Sequence, residues 1–390
     1  MGAMLELEEA QARLLALAKP TPVTDTPVEQ ALGRYLGRDL HAARTQPPAD
    51  LSAMDGYAVA GLGTWRIMGE SRAGSPFNEL LCAGQCARIS TGAHMPRGAD
   101  RVLIQEDAEL LQPDLVSARE HPSRGQHVRR RGFDFAEGDV VLEAGSRIGP
   151  PQLALALSAG HASLPVHLPP KVAIIDSGDE LVADPRNCPD DRIPASNGAM
   201  ISAMLSETGC EVVRIGPVAD SMVDLGRALA KADNADIVIT SGGASVGDHD
   251  LIRPALEAWG AQLDFWKVAM KPGKPILVAT RSDQIIVGLP GNPVSSFVTS
   301  FLFALPLVRA AMGGNAPLPV AVEMNSAVDL PPVGSRREFL RGRHDGRTVT
   351  LVGSQDSSAL RALAVSNCLI DRPANAPAAE TGTPVRVFPY

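Results

Sequence analysis

The chain has 390 residues, 45% of them hydrophobic and 21% charged, with a formal net charge of −8 at pH 7. That length exceeds what one ordinary core organises, so two to four domains are expected, and the composition is that of a folded globular protein. The acidic balance argues against a whole-chain nucleic-acid binder, which needs a basic surface to neutralise phosphates, although it leaves room for a basic pocket.

The first 18 residues carry Glu6, Glu8 and Glu9 and predict an amphipathic helix. They lack the basic start and apolar run of a signal peptide, and helical texture continues to about Leu40. From about Ala43 to Asp139 short apolar runs interrupted by Gly and Arg predict a mainly β block, with residues 103–104 and 140–142 strand-like. Within it Cys82 and Cys86 lie close, but Cys188, Cys210 and Cys368 are scattered and no Cys/His ligand spacing occurs. The five cysteines therefore read as reduced thiols of a cytoplasmic protein rather than a zinc site. Residues 150–160 predict one apolar helix with proline at its start and glycine at its end.

From Lys171 the pattern alternates. Residues 172–175 predict a buried strand, 196–208 a helix with Asn197 as a plausible N-cap, 211–215 a strand, 221–232 a helix and 236–240 a third strand. Successive βαβ units imply a parallel sheet with helices on both faces. Residues 276–279 and 285–288 predict two further strands, and 293–312 a long helix. The run 284–308 has no charged residue, but its prolines and glycines suit a strand, a turn and a buried helix better than a membrane span. Residues 317–390 predict a small separate β domain.

In open parallel sheets ligands bind beyond the carboxyl ends of the strands. The loops expected there are 176–180 (Asp-Ser-Gly-Asp-Glu), 216–220, 241–248 (Ser-Gly-Gly-Ala-Ser-Val-Gly-Asp) and 289–293 (Leu-Pro-Gly-Asn-Pro). If 276–279 runs antiparallel to its neighbour, Lys271-Pro272-Gly273-Lys274 returns to the same edge. Glycines let backbone N–H groups approach an anion, a helix start at Pro293 adds unpaired donors, and Lys271 and Lys274 add charge. Glu180, Asp220 and Asp250 could hold a divalent cation such as Mg²⁺. Neither GxxxxGK[ST] nor GxGxxG occurs, which removes the ordinary P-loop and dinucleotide readings. Arg129-Arg130-Arg131 reads locally as a solvated basic face, and the histidines show no metal spacing.

Taken together, SAMDGYAV (52–59), STGAHMPRGAD (90–100), RRRGFDFAEGD (129–139), SGDEL (177–181), SGGASVGDHD (241–250), KPGKP (271–275), LPGNPVS (289–295), REFLRG (337–342) and GSQDSS (353–358) resemble the molybdopterin molybdenumtransferase family, the MoeA-type proteins and the gephyrin E domain. The motifs keep the family order and cover nearly the whole chain. The resemblance implies a multidomain α/β protein. Its parts would be a split helical or linker domain (1–44 and 140–170), a β-rich domain (45–139), a three-layer α/β/α molybdopterin-binding domain (171–315) and a C-terminal β-barrel (316–390). It also implies a cytoplasmic homodimer, free of nucleic acid and membrane, that inserts molybdenum from molybdate into adenylylated molybdopterin with Mg²⁺ and releases AMP. Transient contact with a molybdopterin adenylyltransferase and with molybdoenzymes is implied as well.

By the same resemblance Glu180, Asp220 and Asp250 surround the metal and phosphoanhydride, and Asp55, Thr91 and Asp134 reach the neighbouring subunit's site. Lys271, Lys274, Arg341 and Ser357 hold molybdate or ligand phosphate. Ser241, Gly242, Gly243, Ser245, Gly247, Asp248, Pro275, Pro290, Gly291, Asn292 and Pro293 complete the substrate-binding set. Two departures stand out: Asp176-Ser177 replaces the usual Ser/Thr-Thr, and Ala244 stands where Val is common. The competing expectations are an adenylyltransferase acting one step earlier, and a non-catalytic scaffold on the same fold.

Overall fold

The computed structural model describes residues 4–242 and 251–390. Its central layer is a six-stranded sheet of β1 (Lys171–Ser177), β2 (Glu211–Val218), β3 (Ile237–Ser241), β4 (Gln262–Lys267), β5 (Pro275–Arg281) and β6 (Gln284–Leu289), in the spatial order β2-β1-β3-β6-β5-β4. The first four of that order are parallel, and β5 runs antiparallel to both of its neighbours, β6 and β4, so the sheet is mixed rather than wholly parallel. A two-residue link, Ser282-Asp283, turns β5 into β6, too short for the crossover a parallel pair requires.

Side-chain alternation explains how the sheet is covered. Val172 and Ile174 of β1 face one core with Leu7, Leu14, Ile201, Leu302 and Val308, while Ala173 and Ile175 face a second with Leu225, Leu229 and Leu256. A strand buried on both faces reads as an unbroken apolar run, which is how 172–175 appears in the sequence. Asn197–Ser206 packs on one face and Met222–Lys231 on the other. The latter starts where the sequence suggests, with the Ser221 hydroxyl accepting from the Asp224 N–H. Asn197 does not cap its helix: Ser196 holds that place, and the Asn197 amide turns instead to the Gly291 carbonyl at 2.6 Å.

The uncharged run ends in a continuous helical segment, Pro293–Ala311, that is long and apolar enough to cross a membrane but is mostly buried inside the protein. A π turn at Ser300–Ala304 precedes Pro306. Pro306 has no N–H to give to the Leu302 carbonyl four residues earlier. Gln11, buried in the N-terminal helix Leu7–Leu17, donates its Nε2 to that carbonyl at 2.9 Å. The N-terminal helix stops at Leu17, shorter than the texture to Leu40 suggests; Val23–Pro27 is a strand paired with Ser163–His167. Pro20 and Pro22 separate the two.

Two short antiparallel pairs, Val23–Pro27 with Ser163–His167 and Leu40–His41 with Val140–Leu142, join chain segments on either side of the β block, together with the helix Pro150–Ser158. The β block itself is a six-stranded sheet around Tyr57, Val59, Trp65, Cys86, Leu103 and Val116. At the C-terminus Arg337–His344, Thr348–Leu351, Val322–Ser326, Pro384–Pro389 and Cys368–Arg372 pair in that order. The last pairs back to the first, closing a five-stranded barrel. All five cysteines are free. Burial pushes the Cys86 thiol up to about 12 and the Cys368 thiol up to about 11, so neither is primed as a nucleophile.

Candidate active site

Strand register builds the site. Asp176 of β1 stands opposite Ser241 of β3, and Ser241 opposite Leu289 of β6, so three loops leave the sheet side by side at its carboxyl edge. Glu180, Asn197, Ser241, Gly242, Gly291 and Pro293 there line a small cleft of about 60 Å³. Gly242 has φ +105, and a Cβ on it would lie 3.1 Å from the Ser177 carbonyl oxygen. Only glycine allows that strand end to lie against its neighbour. Asn197 leaves its Oδ1 buried beside the cleft with no partner among the described residues.

The antiparallel turn of β5 on β6 sets Leu277 against Gly288, which carries the leading segment 271–274 to the same edge. Met270–Lys271 pairs with Arg337–Glu338 of the barrel and so draws the barrel wall beside it. Between them lies a larger cavity of about 320 Å³ lined by Lys271, Lys274, Arg341 and Ser357, with Ser295 and Glu338. Both cavities border the start of the long helix, Gly291 and Pro293 lining the first and Ser295 the second. There Asn292 Nδ2 donates to Ser357 Oγ at 3.2 Å, and the Val294 N–H donates to the Ser357 carbonyl at 3.1 Å.

Charge in the larger cavity is partly spoken for. Lys271 Nζ sits 2.9 Å from Glu338 Oε1, an ion pair whose carboxylate is mostly buried. Arg341 is fully buried; its Nη2 donates to the Ser354 and Asp356 carbonyls at 2.9 and 3.0 Å, while its Nε has no partner among the described residues. Desolvation draws Arg341 below its ordinary value, with Asp356 among the opposing influences. Arg341 thus shapes the 353–357 loop as well as facing the cavity.

The acidic side differs. Asp220 is held above its ordinary value, first by burial and then by the like charges of Asp179 and Glu180, with a backbone hydrogen bond from Asp179 working the other way. The Asp220 N–H itself donates to Asp179 Oδ1 at 3.0 Å. Among the described residues no three His, Cys, Asp or Glu groups converge tightly enough to hold a metal ion. The expected set includes Asp250, which lies outside the described residues, as do Gly243, Ser245, Gly247 and Asp248.

Of the remaining expected residues, Pro275 opens β5 and Pro290 follows β6 at the rim. Asp55 and Thr91 are brought together: Asp55 Oδ1 accepts from the Thr91 N–H at 2.7 Å and from its hydroxyl at 3.2 Å. Asp134 is exposed on a loop whose backbone bonds to Gln46. Among the described residues, no hydrogen bond or ion pair joins residues 45–139 to the rim of the same chain.

Asn197 and Asp176 are among the polar residues of the cleft that were not in the expected set. Asn197 reads from sequence as a cap, because its role depends on a carbonyl 94 positions away. Asp176 reads as loop, yet it is buried, lines the cleft, and lies 3.6 Å from Arg214. Its departure from the usual Ser/Thr was the available signal.

Three family descriptions match the chain in succession: MoeA N-terminal region (domain I and II) over residues 5–160, probable molybdopterin binding domain over 173–310, and MoeA C-terminal region (domain IV) over 324–390. The molybdopterin molybdenumtransferase of Haemophilus influenzae is 35% identical over 380 residues, covering 94% of each chain. The molybdopterin molybdenumtransferase 2 of Mycobacterium tuberculosis is 33% identical over 406 residues, covering 100% of this chain and 99% of its own. The crystal structure of the molybdopterin biosynthesis moeA protein from Pyrococcus horikoshii superposes with a TM-score of 0.85 at 25% identity, over 100% of both chains. With this identity sustained from end to end, and with the sheet, β block and barrel in the same chain order, the protein belongs to the MoeA family.

Proposed function

We propose that this chain is a molybdopterin molybdenumtransferase that inserts molybdenum from molybdate into adenylylated molybdopterin and releases AMP. The observation that carries the reading is the placement of two unlike compartments beside the start of the long helix, with Gly291 and Pro293 lining one and Ser295 the other. One is a cleft of glycine backbone and carboxylates; the other is a cavity lined by Lys271, Lys274 and Arg341. The first suits the phosphoanhydride of a nucleotide-linked pterin with its counter-cation, and the second suits a tetrahedral dianion such as molybdate.

In this reading the N–H groups of Gly291 and Asn292, before the helix start at Pro293, serve phosphate oxygens, while Ser241 and Gly242, whose own N–H donates to the Leu289 carbonyl at 3.1 Å, line the cleft beside them. The Asn197 Oδ1, which has no partner among the described residues, accepts a hydrogen bond from the ligand. Lys271 and Lys274 neutralise the oxyanion, and Glu338 keeps the former in place. The crowding of Asp179, Glu180 and Asp220, which raises Asp220, fits a divalent cation. Glu180 and Asp220, with Asp250, would hold Mg²⁺, which would withdraw charge from the phosphoanhydride. Asp55, Thr91 and Asp134 act in the site of a partner subunit within a cytoplasmic homodimer.

An adenylyltransferase is not favoured, because the likeness to named molybdenumtransferases extends through the β block and the barrel. A scaffold without turnover would need neither the lysines nor the acidic set. AMP release from adenylylated molybdopterin with molybdate is the test. Glu180→Gln or Asp250→Asn should lower it by about 100-fold or more, and turnover at the wild-type rate in both would sink the assignment.

A further inference from the structure

Far from the rim, a third cavity is lined by residues to which the proposed reaction gives no role. It encloses about 380 Å³ where residues 145–147, the end of the long helix and residues 315–320 meet, with Pro389 of the barrel at its edge. Arg309 is the seventeenth residue of the segment that begins at Pro293 (309 − 293 + 1 = 17). At 1.5 Å per residue that places it about 24 Å along the helix from the active rim.

Apolar walls come from Phe301, Leu318 and Pro389, and polar ones from Tyr35, Arg147 and Arg309. Arg309 is half-buried, and its Nη1 donates to the Pro317 carbonyl at 3.3 Å. Neither Arg147 nor Arg309 meets a carboxylate among the described residues. Burial draws Arg309 below its ordinary value and the like charge of Arg147 adds to this, with only Tyr35 opposing. Two guanidiniums sharing one cavity, one of them desolvated, are unfavourable without an anion. The negative end of the helix dipole, roughly half a charge, compensates only part of this.

We propose that this cavity is an anion site for a phosphate monoester with a compact apolar body. The dianion lies between Arg147 and Arg309, whose forked donors match phosphate oxygens, and the body rests against Phe301 and Leu318. The cavity is large enough for such a ligand. This assignment is independent of the reaction proposed for the rim.

Phenyl phosphate, titrated calorimetrically into the full-length protein, is the probe. Because it can also visit the lysine cavity, it is titrated in parallel into Lys271→Gln/Lys274→Gln protein. Saturable binding is expected to persist there, to weaken at least tenfold in Arg147→Gln, and to recover in part in Arg147→Lys. Arg147 is exposed and its charge opposes that of Arg309, so the Arg147→Gln protein should melt no lower than the wild type. Arg309→Gln, with its melting temperature recorded, should weaken binding in the same direction. Binding that is equal in Arg147→Gln and wild type overturns the proposal, as does binding abolished by the lysine substitutions alone. A changed oligomeric state in Arg147→Gln, with no phenyl phosphate binding in wild type, also overturns it. In that case the arginines meet an acidic side chain of a second copy.

Discussion

At Asp176 burial and charge pairing oppose each other. The carboxyl is almost fully buried, which raises it above its ordinary value, while Arg214 at 3.6 Å and the Gly198 N–H pull the other way. A carboxyl raised in the folded state binds its proton more tightly there than in the unfolded chain. Its contribution to stability is therefore greatest below the ordinary carboxylate range and is lost as pH rises through the raised value. Asp176→Asn removes the buried charge and keeps an acceptor for Gly198. Its stability relative to wild type should grow between pH 4 and pH 8, to about 1 kcal/mol at most. Melting curves across that range decide it; a variant less stable than wild type at pH 8 would mean that Arg214 outweighs desolvation. Little of this was legible in the sequence, where Asp176 differs from Asp179 only by sitting three residues nearer the strand. Burial of one and exposure of the other follow from register with Ser241, a property of the assembled sheet.

Elements were more legible than individual side-chain roles, for a physical reason. The β1 core 172–175 and most of β6 are unbroken apolar runs because both faces are covered, and Met222–Lys231 carries its Ser221 cap next to it. Gln262–Lys267 escaped notice because its apolar residues are mixed with Gln262, Asp264 and Lys267, as befits an edge strand paired on one side only. The long helix was legible as apolar, but its π turn was not, nor was the dependence of Pro306 on a residue nearly 300 positions earlier. Gln11→Leu retains bulk on the N-terminal helix while removing the donor to the Leu302 carbonyl. It should cost about 1–3 kcal/mol, the range for leaving a buried carbonyl short of its partner. A lower thermal midpoint is expected, and an unchanged midpoint would show that the carbonyl is satisfied without Gln11.

For the whole molecule, the central question is where Asp55, Thr91 and Asp134 act. The first two form a prepared pair, yet among the described residues nothing in the β block is bonded to the rim of its own chain. In the proposed two-fold dimer each rim would receive the β block of the other subunit, making two equivalent sites. This arrangement gives a distinctive result when two inactive proteins are mixed. If Glu180→Gln and Asp55→Asn chains are unfolded and refolded together in equal amounts, roughly half of the dimers are mixed. In a mixed dimer one site receives both lesions and the other receives neither, because the intact rim and the intact β block come from different chains. AMP release should then recover to roughly one quarter of the wild-type rate, although each variant alone is inactive. If every site is built from one chain, each site in the mixture carries a lesion and no activity returns. Sedimentation of the refolded mixture, showing dimers in both cases, ensures that silence is read as a same-chain site rather than as failed assembly.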